Sequence, residues 1–351
     1  MTNWYCSREQ VKSSLGIYGL EHDKAIDLAI EGASRRVDTW TRRRFIPETK
    51  TVLLSWPPRQ NSLSWKLWLP LDIISVTTLR TKAQDSSPTT IVAADYFLEP
   101  QYYGPPYDRI EIDLSSTASF EAGDTSQRSI SVLGSWGYKD ATKSTGTIDD
   151  AGGISATETT LIVSDASLID VGDTLLIETE QIFVSNRDFA ALGTVLINGA
   201  LTATITENVV ADPAHGIKAG EVIRVDTEQM FVLYVSGNTL TVTRAYNGSV
   251  LASHADNTAI HINRTLTIER AINGTTGATH ADAVAISKYE VPFDIGQWCR
   301  AESIAVYTQE GAGWGRIIGQ GDGAREFGGR DLSSLRETMI KQYKRVRVGT
   351  I

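Results

Sequence analysis

Thr179-Glu180-Gln181 recurs as Thr227-Glu228-Gln229, and Arg244-Ala245-Tyr246-Asn247-Gly248 recurs as Arg270-Ala271-Ile272-Asn273-Gly274. Along the chain the two words run first, first, second, second, whereas a tandem duplication would alternate them. One repeat therefore lies inside the other. The flanks keep register: Gly172, Glu180, Phe183 and Val184 match Gly220, Glu228, Phe231 and Val232 at one offset. Thr239, Arg244, His254 and Asp256 match Thr265, Arg270, His280 and Asp282 at another. The pattern predicts an inner nested β domain over residues 193–263 and an outer β domain split into 139–192 and 264–290. A unit inserted at an exposed hairpin tip is tolerated when its own ends lie close together.

Charge marks the same segment. The chain has 351 residues and a net charge of -9, and that length suggests two or three domains. Residues 139–290 hold nine Lys/Arg, nineteen Asp/Glu and none of the eight Trp. Such an acidic stretch argues against a grip on a nucleic-acid backbone. No apolar run is long enough to span a bilayer, and the N-terminus lacks the layout of a signal peptide, so synthesis in a cytoplasm without a membrane partner is expected. Cys6 and Cys299 have no metal-ligand spacing and read as small buried apolar residues that do not form a disulfide.

Outside the insert the pattern alternates between helix and strand. Ser7 to Gln10 reads as a capping box opening a short helix stopped by Gly16. Ile26, Ile30, Ala33, Val37 and Trp40 stripe a second helix from about His22 to Arg44. Segments 51–56, 73–80, 96–99, 110–114 and 130–136 are rich in β-branched and aromatic residues and predict a small antiparallel sheet packed on the two helices. Helix returns at Pro292 and runs to about Gln309. Residues 311–329 are expected to form a loop, followed by a short helix striped by Leu335, Met339 and Tyr343. The insert repeats short strands without a helical period and is expected to be all-β. The fold class is thus α+β, a helical and small antiparallel-sheet body interrupted by two nested all-β domains.

Several motifs invite a chemical reading and fall short of one. His254 and His280 are each followed by Ala-Asp, but one imidazole and one carboxylate per repeat do not make a zinc shell; a hydrogen bond within the turn after Asn-Gly is expected instead. Glu180 and Glu228 have no second catalytic partner fixed nearby and are assigned to a turn or strand edge with Thr179 and Thr227. Gly319-Gln320-Gly321-Asp322-Gly323 lacks the strand, lysine and helix of a phosphate loop. The chain is expected not to be an enzyme, with no catalytic residue, metal or cofactor.

Removing the insert brings Gly134-Ser135-Trp136-Gly137-Tyr138 almost directly against Val291-Pro292-Phe293-Asp294-Ile295. A strand ending in Gly-x-Trp-Gly-Tyr and a helix opening in Val-Pro-x-Asp-Ile resembles the head-tail connector (adaptor) family of tailed bacteriophages. The exit Thr41-Arg42-Arg43-Arg44-Phe45-Ile46-Pro47, the segment Leu69-Pro70-Leu71-Asp72-Ile73-Ile74-Ser75-Val76 and the terminal Tyr343-Lys344-Arg345 fit the same family. The resemblance covers residues 1–138 and 291–351, a discontinuous adaptor body, with Trp136, Gly137, Tyr138, Pro292, Asp294 and Ile295 as candidate hallmarks.

The resemblance implies a dodecameric ring under the portal protein, in the virion neck after assembly in host cytoplasm. Such a ring extends the DNA channel without reading bases and offers a docking surface to the tail or a neck-completion protein. It makes Leu335, Arg336, Met339, Lys341, Tyr343, Lys344, Arg345 and Arg347 candidates for portal docking. Arg35, Arg36, Arg42, Arg43 and Arg44 either face neighbouring subunits or DNA or form a partly solvated helix end. A glycan- or receptor-binding virion protein acting through the β domains is the alternative. Its weakness is the scarcity of aromatic residues in the insert, which offers a poor stacking platform for sugars.

Overall fold

The computed structural model describes residues 3–57, 63–190, 195–311, 317–318, 325–326 and 330–345. The fold is α+β and mostly β. Helix α1 (Arg8–Leu15) opens on the capping box, with Ser7 Oγ accepting from Gln10 N at 3.2 Å and Gln10 Oε1 from Ser7 N at 3.3 Å. Gly16 closes it in the left-handed conformation, where a side chain is disfavoured. In α2 (Asp23–Thr41), Ile26, Ile30, Ala33 and Val37 are fully buried, as their spacing requires.

Six antiparallel strands follow: β1 (Glu48–Leu54), β2 (Lys66–Thr81), β3 (Thr89–Ile91), β4 (Tyr96–Glu99), β5 (Tyr107–Ile112) and β6 (Ile130–Trp136). Their order is β1-β6-β2-β5-β4, with β3 on the far end of β2. Gly134 lies where β2 bulges against β6, and a Cβ there would sit 2.1 Å from the Ser75 carbonyl oxygen. The expectation that this sheet packs on the helices needs correction, because the body has two cores. Trp56, Leu67, Ile73, Leu79, Ile110, Ile130 and Trp136 form one within the sheet. Ile26, Ile30, Phe45, Trp298 and Met339 form the other among the helices, which also takes Val171 and Phe183 from the insert. Period-2 alternation says that a strand has one buried face, not what covers it.

The insert is a single network of ten strands: β7 (Thr142–Thr147), β8 (Thr160–Ile162), β9 (Thr174–Ile177), β10 (Glu180–Ala190), β11 (Val209–Val210), β12 (Val222–Val225), β13 (Glu228–Ser236), β14 (Thr239–Thr243), β15 (Ile260–Glu269) and β16 (Ala285–Tyr289). It contains two hydrophobic cores, one around Leu161, Ile177, Ile182 and Leu266 and one around Ile223, Met230, Leu240 and Ile260. Its two ends meet, Tyr289 pairing with Thr142 and Glu290 N donating to Ala141 O at 2.9 Å.

The repeats agree pair by pair. In the outer one, Phe183, Val184, Asn186, Arg187 and Asp188 of β10 face Glu269, Ile268, Thr267, Leu266 and Thr265 of β15. In the inner one, Phe231, Val232, Tyr234, Val235 and Ser236 of β13 face Thr243, Val242, Thr241, Leu240 and Thr239 of β14. Even the register shift falls at the same place, between Val184 and Asn186 and between Val232 and Tyr234. The inner hairpin closes through Gly237-Asn238, and at that spot the outer hairpin holds the whole inner repeat. Strand β15 serves both, its start pairing with β12 and its end with β10 and β8.

The final elements are α3 (Phe293–Gly311) and α4 (Arg330–Tyr343), with a two-residue pairing of Ile317–Ile318 and Arg325–Glu326 between them. Most of the loop expected over 311–329 lies outside the described residues. No helix among the described residues is long and apolar enough to cross a membrane.

Candidate functional site

Of the candidate hallmarks, Tyr138, Asp294 and Ile295 meet the docking candidate Tyr343 at the helical core, whereas Trp136 lies in the sheet core. Trp136 is buried and donates through Nε1 to Lys50 O at 2.9 Å. Gly137 N donates to Asp72 O at 3.0 Å, and Tyr138 N to Arg44 O at 2.7 Å. The Tyr138 ring meets Phe45 at 5.4 Å and Tyr343 at 5.8 Å between centroids, and Arg43 lies over it at 5.1 Å. Pro292 starts α3, its carbonyl accepting from Ile295 N at 2.9 Å; Ile295 is fully buried. Asp294 Oδ2 accepts from Tyr343 Oη at 3.3 Å. Burial, then the Asp294 charge, pushes the Tyr343 phenol up to about 12. The cluster borders a cleft of about 700 Å³ whose other wall is Pro100, Tyr103 and Pro105.

This placement corrects the role expected for the C-terminal helix. Met339 and Tyr343 are buried in the helical core, and Leu335 packs against it. Arg336 grips Glu302 through two bonds of 2.5 and 2.7 Å and stacks over Trp40 at 5.3 Å. Glu302 is fully buried and also accepts from Trp298 Nε1 at 3.0 Å. Arg345 is buried too, donating to Leu69 O at 2.9 Å and lying 3.2 Å from Asp72. Asp72 takes Arg43 at 2.6 Å on its other oxygen. An apolar stripe must be covered by something, and this one is covered by its own body. Lys341 and Lys344 remain exposed, and Arg347 lies outside the described residues.

The basic helix exit divides in the same way. Arg43 belongs to the Asp72 clamp, Arg44 and Arg35 pair with Asp38 at 2.6 and 3.1 Å, and Arg36 and Arg42 are exposed.

In the insert, each repeat buries the same Glu-Arg-His cluster. Glu180 takes Arg270 through both oxygens at 2.8 and 2.7 Å, accepts the N–H groups of Ala271 and Ala278, and lies 2.9 Å from His280 Nε2. Glu228 does the same with Arg244 at 2.7 and 2.7 Å, the N–H groups of Ala245 and Ala252, and His254 Nε2 at 2.9 Å. The other histidine nitrogen reaches Glu178 or Asp226 at 2.8 Å. Burial by itself would raise both glutamates. The arginine, the histidine and the two backbone donors outweigh it and hold each carboxyl at about 2.

The histidines therefore bond across to the carboxylates of the first word, not within their own turn as expected, and the glutamates, which open β10 and β13 at the hairpin turns as expected, are also core ion-pair members. The partners that sequence reasoning missed, Arg244 and Arg270, open the second repeated word. The two words recur together because one supplies the carboxylate and the other the guanidinium. Glu180 and Glu228 are fully buried and saturated with donors, which leaves neither a site for substrate. Among the described residues no group of three or more His, Cys, Asp and Glu is arranged to hold a metal. Cys6 and Cys299 are buried thiols with their sulfurs 3.6 Å apart.

The outer repeat is joined to the body through the N-terminal segment. Trp4 sits on Gly172, where a Cβ would come within 2.3 Å of the indole, and meets the Phe183 ring edge-on at 5.3 Å. Asn3 and Asn273 exchange carboxamide hydrogen bonds of 2.8 and 2.9 Å. Gly274 approaches β1 so closely that a Cβ would lie 2.0 Å from Thr49 O. Arg8 N donates to Val171 O, and Val171 N to Glu9 Oε2 at 3.0 Å. Burial and the nearby Asp170 raise the Glu9 carboxyl to about 7. No family model, curated protein or solved structure matches the chain.

Proposed function

We propose that the chain is a structural protein of a phage neck, a head-to-tail adaptor that assembles as a ring under the portal and receives the tail or the next neck protein. The observation that carries this reading is the join between body and insert. The strand ending Trp136-Gly137-Tyr138 hands over to the helix opening at Pro292 where the insert's two ends are hydrogen-bonded together. Tyr138, Phe45, Asp294 and Tyr343 then form one cluster, so the segments that carry the family resemblance are neighbours in space.

The contact surface offered by this reading is the cleft beside that cluster together with exposed Lys341 and Lys344. Its rim carries Tyr102 and Tyr103, 88% and 86% exposed, on a short loop held by Pro100, Pro105 and Pro106. Aromatic side chains at such exposure are frequent anchors of protein interfaces. Electron-microscopy classes of the purified full chain, with sedimentation at several concentrations, test the proposal. Closed rings, formed alone or on added portal protein, support it; a monomer that neither closes nor binds portal rules it out.

A further inference from the structure

The two repeats share a docking face, and only the outer one has its carboxamide half filled. On the outer repeat, Gln181 Oε1 accepts from Asn273 Nδ2 at 2.7 Å, and this carboxamide pair is completed by Asn3, whose Oδ1 also accepts from Thr174 Oγ1 at 3.3 Å. Trp4 then covers Gly172 and Phe183. The outer face is thus a socket for an Asn-Trp step.

On the inner repeat the equivalent residues are Gln229, Asn247, Val222, Gly220 and Phe231. The internal bond is conserved between the copies, Asn247 Nδ2 donating to Gln229 Oε1 at 2.9 Å. The aromatic half is filled from within the chain. Ser167 lies against Gly220, its Cβ 3.1 Å from where a glycine Cβ would stand, and the Tyr246 ring covers Phe231 at 5.3 Å. Tyr18 meets the Tyr246 ring at 6.5 Å, but among the described residues no side chain bonds Asn247 as Asn3 bonds Asn273. Asn247 Oδ1 and Gln229 Nε2 have no hydrogen-bond partner among the described residues, and both side chains line a cavity of about 330 Å³ between the inner repeat, β10 and α1. Val222 and Tyr246 supply apolar wall. Arg187, whose Nη2 lies 3.6 Å from Asp170 Oδ1, and Arg224 line it together with the carboxylates of Glu9, Asp23 and Asp188, so the cavity carries no excess of positive charge to draw in a carboxylate.

We propose that this cavity is a recognition site for a carboxamide side chain, Asn or Gln, carried by a peptide segment of a partner chain. A carboxamide offers one carbonyl and one N–H2 in a fixed plane, which complements the open Asn247 Oδ1 and the second Asn247 Nδ2 proton, as Asn3 complements both ends of Asn273 while Gln181 holds that side chain in place. A carboxylate of the same shape lacks the donor and leaves Asn247 Oδ1 unmatched, so discrimination between Asn and Asp is built in. The arginines donate to carbonyl oxygens of the incoming backbone. The site is independent of the ring proposal, since it rests on the comparison of the two repeats alone.

The test uses the full chain and a fluorescently labelled peptide of residues 2–5, acetyl-Thr-Asn-Trp-Tyr-amide, with a second peptide carrying Asp in place of Asn. Anisotropy should show saturable binding of the Asn peptide and at least tenfold weaker binding of the Asp peptide. Asn247→Ala and, separately, Gln229→Leu should each weaken the Asn peptide tenfold or more, whereas Asn273→Ala should leave it unchanged. Equal binding of the two peptides overturns the proposal, as does no binding at all. Loss of binding in Asn273→Ala with retention in Asn247→Ala also overturns it, because the peptide would then be exchanging with Asn3 at the outer socket. The peptide comparison needs only the natural chain and decides the matter even if a variant fails to fold.

Discussion

The outer and inner repeats share their strand registers, their bulge and their buried Glu-Arg-His cluster, yet differ in what surrounds them. The outer repeat gives Phe183 and Val171 to the helical core and is pinned by Asn3, Trp4 and the Thr49 carbonyl. The inner repeat keeps Phe231 half-covered by its own Tyr246 and exposes Leu233 and Tyr234, where the outer has Ser185 and Asn186. The buried interior of a repeat is thus held constant while its face is free to change. What the two copies preserve is stability; what they vary is attachment.

Breaking the two clusters one at a time should separate the repeats most sharply. Arg244→Ala or Arg270→Ala leaves a glutamate buried without its cation, a change that costs about 3–5 kcal/mol. Arg244→Ala should unfold residues 195–263 while leaving the outer repeat and body protected from amide exchange. Arg270→Ala should loosen the outer repeat together with the helical core that shares Phe183 and Val171. If both variants lose protection in the same residues, the two cores are not separate cooperative units.

Removing the plug comes next. Trp4→Ala deletes a large buried ring and should cost about 3 kcal/mol at the seam between body and outer repeat. Denaturant melts followed by Phe183 and Phe231 resonances should show the first destabilised and the second unmoved.

Acid and neutral pH act on different parts. Glu180 and Glu228 sit at about 2 when folded against an ordinary 4.5, so their contribution is full above about 4.5 and is lost as pH falls toward 2. Both repeats should weaken together in that window. Glu9, raised to about 7, behaves oppositely. Its contribution is full below about 4.5 and fades as pH rises through 7, and it acts only on the outer seam. Hydrogen exchange at Val171 N should accelerate between pH 4.5 and 7 beyond the intrinsic rate, and Glu9→Gln should remove that excess.

The smallest effect is expected from undoing the nesting. Replacing residues 189–264 by Gly-Asn gives the outer hairpin the turn used by its twin. The outer core and body should keep nearly their original melting temperature. Collapse of the outer core would show that the two hairpins are not interchangeable.

The nesting was legible because each repeat leaves two words at fixed offsets, and β-strand pairing preserves such offsets. The Glu-Arg pairing within each repeat was equally present in those words, but reading each word alone hid the carboxylate from its guanidinium. The C-terminal stripe of Leu335, Met339 and Tyr343 announced a buried face; its destination depended on Phe45 and Ile295, far away in sequence. Arg345 and Arg43 read as free cations for the same reason, since Asp72 comes from the middle of β2. The outer socket was invisible beforehand, because Asn3 and Asn273 become neighbours only once the body and insert are placed together.

The hairpin tip that carries the inner repeat also sets an order of events during translation. Residues 195–263 leave the ribosome as one uninterrupted stretch and can close their core at once. The outer repeat must wait with only its β9–β10 hairpin able to form until β15 and β16 have been made, and the body must wait for α3. Synthesis therefore completes the units from the inside outward, and the front strands of the outer repeat stay exposed for as long as the inner one takes to be made.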